Sequence, residues 1–265
     1  MTIIQAIILA IVEGLTEFLP ISSTAHMKFT NPIIGVSPSP FSDMFEIVIQ
    51  LAAILAVVAV YYRKFFDFSR LAFYVKLIIA VIPAVIFGAL LKKHIDSALG
   101  NLYFMAWVML GGGVILLFVD RWFLNPTIDD ERQVSNGTAF RIGCFQVLSI
   151  LLPGISRSAV TIVGGMSQKL TRKAAAEFSF FLAVPTMVAA SVKSFWDVHK
   201  SHPEVLSANN YGMLGISSVV AFLVAVLAIR SFIGLLKKYG FRAWGYYRIV
   251  VGLAMLVLLW KGIVQ

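Results

Sequence analysis

Six stretches of this chain, at 44–62, 71–91, 102–119, 174–194, 211–236 and 244–261, are apolar over close to twenty residues each. At 1.5 Å of rise per residue, a helix of about 20 residues crosses about 30 Å of hydrocarbon. Inside a bilayer no water satisfies the backbone, so only helices and closed barrels can span it. Runs this long predict helices. The chain is therefore expected to be all-α and polytopic, one membrane domain over 1–265. Its composition agrees, with 59% hydrophobic and 13% charged residues, against about 25% charged in soluble domains.

Two further apolar stretches, 2–19 and 139–152, are too short to span. Each ends in Leu-Pro followed by small hydroxyl residues. Proline stops the helix before it, and serine or threonine just beyond can cap a new one. The pattern predicts two re-entrant helix–loop–helix hairpins, at 2–31 and 139–167. Broken backbone at that depth is tolerated where it is buried in protein or lines a wet cavity. The first stretch does not read as a signal peptide, because it lacks a basic start and is interrupted by Glu13 and Glu17.

The two halves resemble each other. Pro20 and Pro153 lie 133 residues apart, and Glu46 and Glu177, in similar apolar settings, lie 131 apart. A first repeat over 1–122 and a second over 139–265 then each hold one hairpin and three spans. With an odd number of spans, the second half enters the membrane upside down, giving an inverted repeat. Placing the N-terminus outside puts thirteen loop Lys and Arg inside, Arg63, Lys64, Arg70 and Lys237 among them, and six outside, including Lys28 and Lys92. That satisfies the positive-inside rule. Both termini are expected outside, and the hairpin tips, entering from opposite faces, are expected to meet near the midplane. The linker 120–138 reads as a solvated inner loop. The segment 193–211, with His199 and His202, reads as a solvated outer loop.

The polar residues concentrate at the tips. Glu13 and Glu17 are spaced i,i+4, so both carboxylates share one helix face. Each charge costs about 2.5–3.5 kcal/mol near a bilayer centre. Such a pair calls for a cation, a shared proton or a wet cavity, and hard divalent cations take carboxylate oxygens. Ser22, Ser23, Thr24 and His26 follow. Their hydroxyls can cap the returning helix, whose start favours an anion, and a serine beside a histidine or carboxylate can be an activated nucleophile. The second tip carries Ser156, Arg157 and Ser158. An always-charged guanidinium there should face Glu13, Glu17 or a bound phosphate. Glu46, with Gln50 one turn on, and Glu177 begin spans at equivalent positions and are candidates for an outer layer of the site. Arg248 is expected to snorkel to the inner face or to pair internally. The single cysteine, Cys144, excludes an intramolecular disulfide and reads as a packing residue. The net charge of +9 fits cytoplasmic loops and anionic lipid better than nucleic acid. A transporter or flippase for a polyprenyl phosphate or another anion remains the alternative to an enzyme, since inverted repeats with midplane carboxylates describe transporters too.

The run from Glu13 to His26 and the run from Pro153 to Ser158 resemble the paired signatures of bacterial undecaprenyl-diphosphate phosphatases of the bacitracin-resistance type. The segments 45–51 and 176–185 are also similar, so the resemblance covers essentially the whole chain. It implies hydrolysis of undecaprenyl diphosphate to the monophosphate and inorganic phosphate in the bacterial plasma (inner) membrane. The active site would open to the outer, periplasmic face. The reaction recycles the lipid carrier for peptidoglycan synthesis and confers bacitracin resistance. The resemblance further implies a divalent cation, Mg²⁺ or Ca²⁺, held at Glu13 and Glu17, and a homodimer. Glu13, Glu17, Ser23, His26 and Arg157 would be catalytic, and Ser22, Thr24, Ser156 and Ser158 would contact phosphate. Ala25 and Ala159 stand where glycine is common in that pattern, which would narrow the cavity beside each tip.

Overall fold

A computed structural model describes residues 1–67 and 71–264, without the side chains of Lys92 and Lys237. Arg70, Lys92 and Lys237 of the loop-charge count thus lie outside what is described. Among the described residues there are twelve α-helices and no strand. Six of the helices are long and apolar enough to cross a membrane. They are α3 (Pro40–Val60), α5 (Leu71–Leu90), α7 (Leu102–Trp122), α10 (Arg172–Ser201), α11 (Ala208–Tyr239) and α12 (Arg242–Trp260). The protein is an all-α polytopic membrane protein.

Each short apolar stretch forms a helical pair: α1 (Ile3–Thr16) with α2 (Ser23–Ile33), and α8 (Asn136–Leu151) with α9 (Arg157–Ser167). The remaining helices, α4 (Tyr62–Phe65) and α6 (Lys92–Leu99), are connectors. Packing exchanges elements between the halves. Helix α1 lies on α11, and α8 lies on α5; α7 runs along α12, and α3 sits between α10 and α11.

The open ends of the two hairpins lie at opposite ends of α3. Gln5 donates to the Ile34 carbonyl at 2.7 Å, closing the mouth of the first hairpin, and Lys28 pairs with Asp43 and Glu46 near the start of α3. The mouth of the second is closed by Arg141 and Gln168, at 2.9 Å. Nearby, the loop before α8 supplies Glu131, which pairs with Lys64 just past the end of α3. Helix α3 has 21 residues, or about 31 Å at 1.5 Å per residue.

Three sequence expectations need correction. The segment 193–211 is helical to Ser201, because α10 continues past the apolar stretch with Lys193 paired to Asp197 at 2.6 Å. The linker 120–138 is not simply solvated: Glu131 is buried against Lys64, and the Ile128 backbone pairs with that around Leu170. Cys144 is exposed on the outside of α8 and is not a core residue.

Candidate active site

The two hairpin tips are built alike. Ser22 caps α2 by accepting from the Ala25 amide, and Ser156 caps α9 by accepting from the Ala159 amide, each at 3.3 Å. Both serines have positive φ, 69° and 78°. Non-glycine residues hold this region at a cost of about 1–3 kcal/mol and only where surroundings enforce it. The enforcement is visible. Ser158 Oγ donates to the Leu19 carbonyl of the other tip at 3.0 Å, and the Ser156 hydroxyl lies 3.0 Å from that of Ser158. Gly154 takes φ 99°, and a Cβ there would sit 2.7 Å from the Met105 carbonyl oxygen. Only glycine fits both conditions.

Arg248 of α12 locks the tips together. Fully buried, it donates to Pro20 O at 3.2 Å in the first tip, and to Ile155 O at 2.6 Å and Gly154 O at 2.9 Å in the second. It also donates to Met109 O of α7 at 3.1 Å. It pairs internally, as one of its two sequence readings had it, but with carbonyls and not with a carboxylate. No local signal in the sequence marks this clamp, because its partners come from three distant segments.

Glu17 is the hub of the site. Ser23 Oγ donates to Glu17 Oε2 at 2.5 Å, and Arg157 Nη2 donates to Glu17 Oε1 at 2.6 Å. The Arg157 guanidinium also reaches the Ser179 carbonyl at 3.4 Å. Phe18, next to Glu17, packs edge-on to Phe180, next to Ser179, at 5.1 Å between ring centroids. One aromatic contact thus fixes the height of the carboxylate against that of the arginine.

A cavity of about 220 Å³ opens beside this pair. Of the predicted site residues, Glu17, Ser22, Ser23, Thr24, Gln50, Ser156, Arg157 and Ser158 line it. The first amides of α2 and α9 lie here, and such amides have no acceptor within their own helix. The lining also includes Gln146, Ser149 and Thr186, which sequence reasoning did not select.

Four predicted residues stand outside that lining. Glu13 is fully buried one turn before Glu17, close to its carboxylate, and among the described residues no N–H or hydroxyl donor reaches either of its oxygens. His26 Nδ1 lies 2.8 Å from the Ser22 carbonyl, and Nε2 lies 2.9 Å from the Tyr247 hydroxyl. A carbonyl only accepts, so Nδ1 carries a proton, and the ring faces α12 and not Ser23. Glu46 accepts from Asn31 at 2.6 Å and pairs with Lys28 at 3.2 Å. These three residues line a separate vestibule of about 580 Å³, which shares Thr24, Gln50 and Leu99 with the cavity. Glu177 does not belong to the outer layer of the site. It is held by Lys64 at 2.8 Å at the far end of α3, because its helix starts at the opposite face from that of Glu46.

The fold and these contacts define a polytopic helical membrane protein with a buried polar centre. In that centre a hydroxyl–carboxylate pair, a guanidinium and two helix starts surround a space fit for an anion. The family described as Bacitracin resistance protein BacA matches residues 6–254, and the chain belongs to that family. An undecaprenyl-diphosphatase of Flavobacterium psychrophilum is 51% identical over 97% of this chain and 96% of the relative. Proteins of the same name from Flavobacterium johnsoniae and Porphyromonas gingivalis are 50% and 47% identical, over 97% and 99% of this chain and 96% and 99% of the relatives.

Proposed function

We propose that this protein hydrolyses undecaprenyl diphosphate to undecaprenyl phosphate and inorganic phosphate, recycling the lipid carrier for peptidoglycan synthesis and so conferring resistance to bacitracin. The observation that carries the reading is the pair of bonds to Glu17, a serine hydroxyl on one oxygen and an arginine on the other, set beside a cavity at two helix starts. A transporter or flippase for a polyprenyl phosphate needs a route to both faces of the membrane, whereas Ser23 and Arg157 on one carboxylate favour the phosphatase.

Without substrate, the Glu17 carboxylate occupies the anion position of Arg157. A terminal phosphate entering the cavity draws the guanidinium to itself, and one Glu17 oxygen is released. Ser23 Oγ then bonds to the terminal phosphorus while the bridging P–O bond breaks. The bridging oxygen leaves on the lipid phosphate with its electron pair, and the Ser23 proton passes to Glu17. Glu17 passes that proton on to the departing lipid phosphate, then takes one from water as the water oxygen bonds to phosphorus, and returns it to Ser23 Oγ as the serine–phosphorus bond breaks and phosphate is freed. The same carboxylate could instead activate water directly on the diphosphate. Turnover by Ser23→Ala decides: near-normal phosphate release removes the serine as nucleophile. Glu17 serves as base here in place of His26, which steadies the Ser22 carbonyl at the first tip. Ser22, Thr24, Ser156 and Ser158 supply further phosphate contacts.

The buried oxygens of Glu13, which no donor among the described residues reaches, fit a cation shared with Glu17 one turn away. Among the described residues no three acidic, His or Cys side chains gather as a metal cage, so substrate phosphates and water would complete the shell of Mg²⁺ or Ca²⁺ at Glu13 and Glu17. When bound, the ion neutralises diphosphate charge and polarises its P–O bonds.

The hairpins are re-entrant and the halves an inverted repeat in this reading, supported by the opposed hairpin mouths and the exchanged packing. The vestibule at the mouth of the first hairpin, on the face that loop charge assigns to the exterior, supports a site opening to the outer side of the bacterial inner membrane. A homodimer rests on the family resemblance, and the protein's mass in detergent tests it. For the activity, purified protein is given a polyprenyl diphosphate with Mg²⁺ and free phosphate is measured. The wild type is expected to release phosphate, and Glu17→Ala and Arg157→Ala to lose most of it. No release by the wild type overturns the reading.

A further inference from the structure

Gln146 sits seven residues before Pro153, as Glu13 sits seven before Pro20. It is 1% exposed, its Nε2 donates to Thr186 Oγ1 at 3.3 Å, and among the described residues its Oε1 has no partner. A buried amide oxygen without a partner forfeits about 1–3 kcal/mol, a deficit that a ligand can remove. Unlike Glu13, Gln146 lines the cavity, together with Ser149 of its own helix and Thr186 of α10.

The cavity lining has two unlike parts. Thr24, Gln50 and Leu99 are shared with the vestibule. Ala84, Ile150 and Met187 contribute an apolar wall from α5, α8 and α10. Val85 and Val188, the next residues along α5 and α10, are 54% and 41% exposed on the outside of the bundle. This wall therefore borders the lipid-facing surface. Gln146, Thr186 and Ser149 are the polar groups that α8 and α10 add to the lining.

A lipid diphosphate presents two phosphates, and only the terminal one is cut. Resting on the phosphatase reading above, we infer that Gln146, oriented by Thr186, binds the phosphate that stays on the lipid, with the first isoprene units over Ala84, Ile150 and Met187. The carboxamide has the same outline either way round. Turned over, it offers an Nε2 hydrogen to a phosphate, and its oxygen accepts from the Thr186 hydroxyl once that hydroxyl leaves the Leu182 carbonyl to which it donates at 2.8 Å. The terminal phosphate then lies between Arg157 and Ser23, and leaves by way of Thr24 and Gln50 into the vestibule. This grip acts equally on bound substrate and transition state, so its loss appears in KM and in product affinity and not in kcat.

The test uses full-length protein in detergent with farnesyl diphosphate as substrate, and farnesyl monophosphate and inorganic phosphate as competing products. Binding of both products is also measured by calorimetry, which needs no turnover. Gln146→Met, a near-isostere without the amide, is expected to raise KM about tenfold and to weaken farnesyl monophosphate binding about tenfold, the loss of one hydrogen bond to a charged group. Inorganic phosphate affinity and kcat should stay within about threefold. Thr186→Val is expected to give the same pattern at smaller size, and decides the matter if Gln146→Met does not fold. Unchanged farnesyl monophosphate affinity overturns the inference, as does an equal weakening for inorganic phosphate. A wild type that binds farnesyl monophosphate through Gln146 yet releases no phosphate would refute the phosphatase reading and leave this binding site standing.

Discussion

Ser23 and Arg157 hold the same position in two helices: each is the first residue after a capping serine of positive φ, and each binds a different oxygen of Glu17. The offset between them is 134, one more than between Pro20 and Pro153, because Gly154 adds a residue to the second tip. Two copies of one structural device therefore supply two chemistries. One brings a hydroxyl and the other a cation to the same carboxylate.

Arg157 has a planar fork that reaches Glu17 and the Ser179 carbonyl together. A lysine ammonium cannot serve both in that geometry. Arg157→Lys is expected to lower kcat/KM for a polyprenyl diphosphate by about 10²-fold and Arg157→Ala by about 10²–10³-fold, in line with loss of one transition-state donor. Phosphate-release kinetics check both, and a loss under threefold for the lysine variant would contradict the fork's role.

Chelation of divalent cations is expected to stop phosphate release, and added Mg²⁺ to restore it. Glu13→Gln keeps the shape of the side chain and removes its charge. It should raise the Mg²⁺ concentration for half-maximal activity by about tenfold or more. An unchanged Mg²⁺ titration would take the ion away from Glu13.

Arg248 holds carbonyls of both tips, and Gly112 makes room for it: a Cβ there would lie 2.4 Å from Arg248 Nη2. Arg248→Met leaves several buried carbonyls unpaired, at about 1–3 kcal/mol each. At the lower end of that range the three tip carbonyls of Pro20, Gly154 and Ile155 cost about 3 kcal/mol together, so the thermal midpoint in detergent is expected to fall by at least about 6–12 °C, taking about 2–4 °C per kcal/mol. Gly112→Ala should lower it in the same direction. A midpoint unchanged in both would mean that the tips hold together without the clamp.

The assigned orientation can be read by labelling, with Cys144→Ser as background. His202→Cys is expected to react with a membrane-impermeant maleimide in intact cells, and Asp129→Cys only after permeabilisation. Both sites are exposed. The reverse pattern would turn the protein over.

Much of this site was legible because its signals are local. Pro20 and Pro153 break helices, Ser22 and Ser156 follow at capping distance, and a lone Arg157 in an apolar stretch demands an anion. Helix boundaries of the spans followed from apolar length, except for α10, whose amphipathic outer end is charged enough to read as loop. What escaped depends on contacts between distant segments. Arg248 finds its carbonyls on α7 and two tips, Lys64 reaches Glu177 113 residues away, and His26 turns to Tyr247. Motif order alone placed His26 beside Ser23, whereas the helix carries it a turn round to face α12. Gln146 was hidden because an amide in an apolar helix carries no charge to explain.

The relation between Ser23 and Glu17 is tested most directly by a double-mutant cycle on phosphate release, with wild type, Ser23→Ala, Glu17→Gln and the double variant. Residues that act as one unit lose no more together than the worse of them loses alone. The double variant is therefore expected to match Glu17→Gln within about threefold. Losses that multiply would show that the hydroxyl and the carboxylate work apart, and would contradict a site built on their contact.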